Sequence, residues 1–95
     1  MQFVLIAYDG NDADAQARRM MVREKHLEGA EKLKESGNLI WGGAILDNQH
    51  SMIGSVVVYE YESREKLDEM LLEEPYITGN VWQEIDIQPF KLANI

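Results

Sequence analysis

Arg19, Arg23 and His26 follow one another at spacings of four and three residues. In a helix, at about 100° per residue, all three fall on one face. An imidazole there moves protons near neutral pH. A guanidinium beside it holds an anionic oxygen or a developing enolate. Both groups need acidic partners when taken out of water. The candidates are Asp9, at the C-terminal end of the first apolar stretch, and Glu74, after the second helical stretch. Ser55 and Tyr76 supply further hydrogen-bonding hydroxyls. There is no cysteine and no G-x-S-x-G, so acyl transfer is weakly supported. The chemistry that remains is general acid/base work on a small polar or aromatic molecule, an elimination or an isomerisation.

The helix carrying these groups is MMVREKHLEGAEKL and its flanks, predicted over about Ala13 to Ser36 and closed by Gly37-Asn38. With Leu27 at zero, Met20 lies near +20°, Ala30 near −60°, Leu33 and Ala15 near −120° and Val22 near −140°. Arg23 (about −40°), Arg19 (about −80°) and His26 (about −100°) fall inside that apolar arc. Glu24, Lys25, Glu28, Glu31, Lys32 and Glu35 fall outside it. Each inward group has a bland explanation. The arginines can lay their stems on the core and their heads in water, and the histidine can be a core residue with one carbonyl partner. Together they imply a polar pocket between helix and sheet.

The elements that must position these groups read as β-α-β-β-α-β. Gln2 to Tyr8 is a strand apolar on both faces. Asn11 or Asp12 is placed to cap the first helix. Leu39 to Leu46 is a strand with Gly42 and Gly43 inside it, which signals a bulge or a close approach. Asp47 to Ser51 is a hairpin loop, and Met52 to Tyr61 a third strand. Ser63 caps a second helix that Pro75 ends or re-aims. Val81 to Phe90 alternates and carries Pro89, as an edge strand does. The first and third strands belong in the centre. The prediction is one domain over residues 1–95: α+β, ferredoxin-like, an antiparallel sheet in the order 4-1-3-2 with both helices on one face. The central strands are apolar on the opposite face too, which predicts a homodimer with two sheets stacked.

Composition narrows the partners. Nine basic against 17 acidic residues give a net charge of −8, which disfavours nucleic acid and anionic membranes. No basic-then-apolar leader and no apolar run near membrane-spanning length is present, so a cytoplasmic protein is expected. No dinucleotide fingerprint and no ligand-like spacing of His, Asp and Glu is found, so neither cofactor nor metal is expected. His50 sits in a polar loop. Trp41, Trp82 and Tyr59 read as sheet or dimer packing, and Glu73-Glu74 is also compatible with a solvated helix end.

YDG after the first strand, VREKHLEGAEKLKESGNL, GG in the second strand, MIGSVVVYEYES, and EEPYITGNVW with IDIQPF resemble the YCII-related family in order and spacing. The resemblance implies a dimeric ferredoxin-like α+β barrel. It also implies a cleft with a paired histidine and aspartate, and lyase chemistry that includes dehydrohalogenation. The histidine corresponds to His26. The aspartate of an Asp-Pro-aromatic motif corresponds to Glu74 before Pro75 and Tyr76, a departure that adds one methylene, about 1.5 Å. An Ala-Gly-Pro of the family stands here as Gly42-Gly43-Ala44. Three readings follow: an acid/base enzyme on His26 and Glu74, a small-ligand binding or sensing module using the same pocket, and a dimeric interaction domain whose polar pocket is structural.

Overall fold

The computed structural model describes residues 1–95. The elements are β1 (Gln2–Asp9), α1 (Ala15–Glu35), β2 (Leu39–Leu46), β3 (Met52–Glu60), α2 (Arg64–Leu71), α3 (Pro75–Thr78) and β4 (Trp82–Phe90). The strands form one antiparallel sheet in the order β2-β3-β1-β4, the ferredoxin-like α+β arrangement the pattern predicts.

Period-two alternation builds the core. Phe3, Leu5 and Ala7 of β1 stand opposite Tyr59, Val57 and Ser55 of β3, all on the helix-covered face. Leu67 and Leu71 of α2, Tyr76 of α3, and Val81 and Trp82 complete the cluster. Each fully buried aliphatic or aromatic side chain here contributes about 1.5–3 kcal/mol. On the opposite face Val58 is fully buried, with Val4 and Trp41 as its cross-strand partners. Tyr8 and Trp41 on that face remain 43% and 45% exposed, so its apolar surface is only partly covered.

The glycines of the middle strands have separate reasons. The β2–β3 register shifts between Leu39 and Trp41 and again between Ile45 and Leu46, bracketing Gly42 and Gly43. A Cβ on Gly54 of β3 would collide with the Ala7 carbonyl oxygen, which is backbone and cannot yield.

α1 differs from its sequence reading in two respects. Its cap is not a side chain at the predicted residue. Asp14 holds the N-cap position without a side-chain bond, while Asp12 accepts from the Asp14 N–H at 3.3 Å and from Arg18 at 2.9 and 2.7 Å. The Arg18 guanidinium holds the Asp12 carboxyl well below the usual carboxylate range. Second, Met20 (54% exposed) and Leu27 (46%) do not enter the core. Ala15 and Arg19 are buried, and Val22, Arg23, His26, Ala30 and Leu33 are half-buried. The inward line thus runs near the histidine, with Leu27 about 100° and Met20 about 120° away from it. Nearly half of this line is polar, so the helix is held by pairing as much as by apolar burial.

The chain between the last two elements makes one extra helix. Ser63 caps α2, accepting from the Lys66 N–H at 3.2 Å. Pro75 then re-aims the chain by starting α3, where its missing N–H costs nothing.

Candidate active site

The groups read from the sequence meet between α1, α3 and the β3 side of the sheet. Glu74 is the N-cap of α3, and its Oε1 accepts from the Tyr76 N–H at 3.1 Å. The same oxygen lies 2.5 Å from His26 Nδ1, with the two side chains 5% and 12% exposed. The cap is thereby also the partner of the histidine. With glutamate at the start of α3, the carboxylate reaches the imidazole directly. A carboxylate accepts, so Nδ1 carries the proton and Nε2 is left free.

Tyr76 packs on the imidazole with ring centroids 3.8 Å apart and planes 13° apart. Trp82 meets the imidazole edge-on at 6.0 Å. These contacts, with the Glu74 bond, fix the ring's plane. The Tyr76 phenol makes no hydrogen bond within the chain, and burial pushes its ionisation upward, partly offset by Arg19 and Arg23.

Arg19 heads the second half of the network. Its Nη1 donates to both Asp9 oxygens at 3.0 Å, and its Nη2 donates to Ser55 Oγ at 3.1 Å. The Arg19 and Asp9 side chains are each 3% exposed. Its Cζ stands 4.7 Å from the Tyr76 ring centroid, a cation–π contact. The Trp82 indole N–H donates to Ser55 Oγ at 3.0 Å.

Beside this network lies a cavity of about 180 Å³. Arg19, Arg23, His26, Ser55 and Tyr76 line it together with apolar groups, among them Leu27, Met52 and Val57. Gly42, Gly43 and Ala44 of β2 form one wall. Asp9 and Glu74 do not line it. They stand behind the arginine and the histidine and orient them. Of the residues singled out in the sequence, all but Arg23 are joined in one network, and Arg23 faces the same cavity without an ion pair. Sequence reasoning assigned Trp82 to packing and missed its hydrogen bond. The signal available was general: a buried indole N–H needs an acceptor.

Comparison with known proteins agrees with this architecture. Residues 1–91 match the model of the YCII-related domain. The chain belongs to the YCII-related family. Among relatives in that family, Protein YciI of Escherichia coli is 31% identical over 97 residues, covering 96% of this chain and 97% of its own. A fungal protein of Emericella nidulans, named as derivative of benzaldehyde biosynthesis cluster protein C, is 32% identical over 79 residues, 76% of this chain and 80% of its own. Among solved structures, 5-chloro-2-hydroxyhydroquinone dehydrochlorinase (TftG) of Burkholderia phenoliruptrix, in complex with 2,5-dihydroxybenzoquinone, superposes with a TM-score of 0.83 at 21% identity, covering 98% of this chain and 96% of its own. At that identity the likeness concerns the fold. No helix of this YCII-related chain is long and apolar enough to cross a membrane.

Proposed function

We propose that this YCII-related protein is a small-molecule lyase or isomerase in which His26 transfers protons and Glu74 orients it. The observation that carries this reading is the His26 Nδ1–Glu74 Oε1 contact of 2.5 Å between nearly buried groups at the edge of a cavity. Nε2 takes a proton from an acidic O–H, or from a C–H beside a carbonyl. In an elimination the released electron pair moves through the substrate and expels the leaving group with its bonding electrons; in an isomerisation it moves to a different atom of the substrate, where the proton returns. Glu74 stabilises the imidazolium formed, which then gives its proton to solvent in an elimination or back to substrate in an isomerisation. The dehydrochlorinase activity named for TftG supports elimination from a ring as the first reaction to try.

The protein acts as a cytoplasmic homodimer in this reading. The partly exposed face carrying Tyr8, Trp41, Val4 and Ile6 stacks on the same face of a second copy. The partner inside the site is the substrate alone, with no nucleic acid, membrane, metal or cofactor. The alternative is a binding or sensing module. It is favoured by the cavity's size and its unpaired Arg23, which suit a ligand whether or not it reacts.

The test is chloride release from 5-chloro-2-hydroxyhydroquinone by the wild type and by His26→Ala. Loss of a general base lowers turnover by about 10²–10⁴-fold. Equal chloride release by the two proteins refutes the role given to His26. A ligand that raises the melting temperature with no product formed decides for the binding module.

A further inference from the structure

A serine hydroxyl has two lone pairs to accept with and one proton to donate. At Ser55 both lone pairs are taken. Arg19 Nη2 donates at 3.1 Å and Trp82 Nε1 at 3.0 Å. Guanidinium and indole N–H groups only donate, so the roles cannot be exchanged. The Ser55 proton is what remains, and no acceptor within the chain receives it. Ser55 is 3% exposed and lines the cavity. The hydroxyl is therefore locked as a donor, with the cavity as the remaining direction. A buried donor left unmet is destabilising, and a ligand oxygen that accepts from it would recover that loss.

The charges around the cavity point the same way. Arg19 is balanced by Asp9 and His26 is paired with Glu74. Arg23 lines the cavity half-buried, and its side chain forms no ion pair or hydrogen bond. Among the side chains lining the cavity, the oxygen and nitrogen atoms left to accept from a ligand are the Tyr76 hydroxyl and His26 Nε2. As to size, about 180 Å³ matches one substituted six-membered ring, since a cavity of about 150 Å³ holds benzene.

We infer that this site binds its ligand as an oxyanion, a single-ring phenolate or enolate whose charged oxygen sits between the Ser55 hydroxyl and the Arg23 guanidinium. This deepens the reading of the cavity as a reactive site, but it concerns the protonation state that is bound rather than turnover. In that geometry Ser55 and Arg23 are substrate-binding groups, and Arg19 and Trp82 position Ser55.

The test uses the full chain with 4-nitrophenol, whose phenolate absorbs distinctly, and 4-nitroanisole, its uncharged methyl ether. The bound phenol should ionise at least one pH unit lower than the free one, equivalent to a preference of about tenfold or more for the anion. The ether should bind at least as much more weakly. Arg23→Gln should lose most of the preference while melting like the wild type, because Arg23 bonds nothing within the chain. Ser55→Ala should lose it too, and Ser55→Thr, which keeps the hydroxyl, should retain it if Ser55→Ala proves too unstable to use. An unshifted or raised ionisation, equal binding of the ether, or no binding of either compound overturns the inference. A protein that shifts the phenol but releases no chloride would sink the lyase reading and keep this one, and the converse result would do the reverse.

Discussion

Glu74 does two things with one oxygen, and the two can be separated by substitution. Its Oε1 caps α3 through the Tyr76 N–H at 3.1 Å and receives the His26 Nδ1 proton at 2.5 Å. Glu74→Ala removes both. It leaves a nearly buried imidazole N–H without an acceptor, about 1–3 kcal/mol, and an uncapped helix start, about 1 kcal/mol. The sum, about 2–4 kcal/mol, would lower the melting temperature by roughly 4–8 °C per kcal/mol in a domain of this size. Glu74→Asp removes only one. A shorter carboxylate still caps, aspartate being a favoured capping residue. Its reach toward His26 falls by about 1.5 Å, which opens the contact to roughly 4 Å, beyond hydrogen-bonding range. His26 cannot follow freely, because its ring is stacked on Tyr76.

Nitrogen-15 NMR reads the outcome without a substrate. The chain has two histidines, and His50 lies exposed in the β2–β3 loop as an internal control. On the alkaline side of the titration, wild-type His26 should show the Nδ1–H tautomer. Glu74→Asp and Glu74→Ala should both shift it toward Nε2–H, while thermal denaturation shows the aspartate variant losing about 1 kcal/mol less than the alanine variant, the contribution of the cap it keeps. Turnover, where measurable, should fall in both. A Glu74→Ala protein that melts like the wild type with its tautomer unchanged would refute the pairing. Higher activity in Glu74→Asp would show that the glutamate is misplaced, contrary to the geometry.

Two further outcomes follow from the buried groups. Arg19→Met should destabilise by about 3–5 kcal/mol in denaturant titrations, because Asp9 is left buried and unpaired; Arg19→Met with Asp9→Asn should recover part of that loss, and additive effects would contradict the coupling. Burial, reinforced by Glu74 and Tyr61, pushes the Tyr59 hydroxyl far above its ordinary 10.0. The folded chain therefore keeps a proton that the unfolded chain releases, so the stability contributed is present below pH 10.0 and is lost as pH rises above it. Tyr59→Phe should flatten the alkaline decline in unfolding free energy by about 1.4 kcal/mol per pH unit, and an unchanged slope would place that hydroxyl in water.

Much of the fold was legible because its causes are local. Alternation in QFVLIAY, the Gly37 stop, the Ser63 cap and the edge-strand proline Pro89 each act within a few residues, and together they allow few topologies. The inward polar line on α1 was legible for a related reason. Helical spacing alone puts Arg19, Arg23 and His26 on one side, and water's hold on charge makes that side anomalous unless partners wait there. Less was legible about Met20 and Leu27. Their type suggested burial, but the face of α1 that turns inward is the one carrying Ala15, Arg19 and His26, which leaves Met20 and Leu27 exposed, and which face turns inward depends on what the rest of the fold presents to it.

The sequence by itself determined the order of the four strands and the two longer helices, the two central strands, the residue types available for proton transfer and anion binding, and the glycine-lined stretch of β2; the short α3 was not among them. Tertiary structure alone decided that Glu74 turns its carboxylate onto His26, that Asp9 neutralises Arg19 and leaves Arg23 unpaired, and that Trp82 and Arg19 together take both lone pairs of Ser55. The physical reason is range. Propensity and periodicity act along the chain, whereas a hydrogen bond between residues 48 or 36 positions apart exists only once packing has fixed both ends to within a few tenths of an ångström.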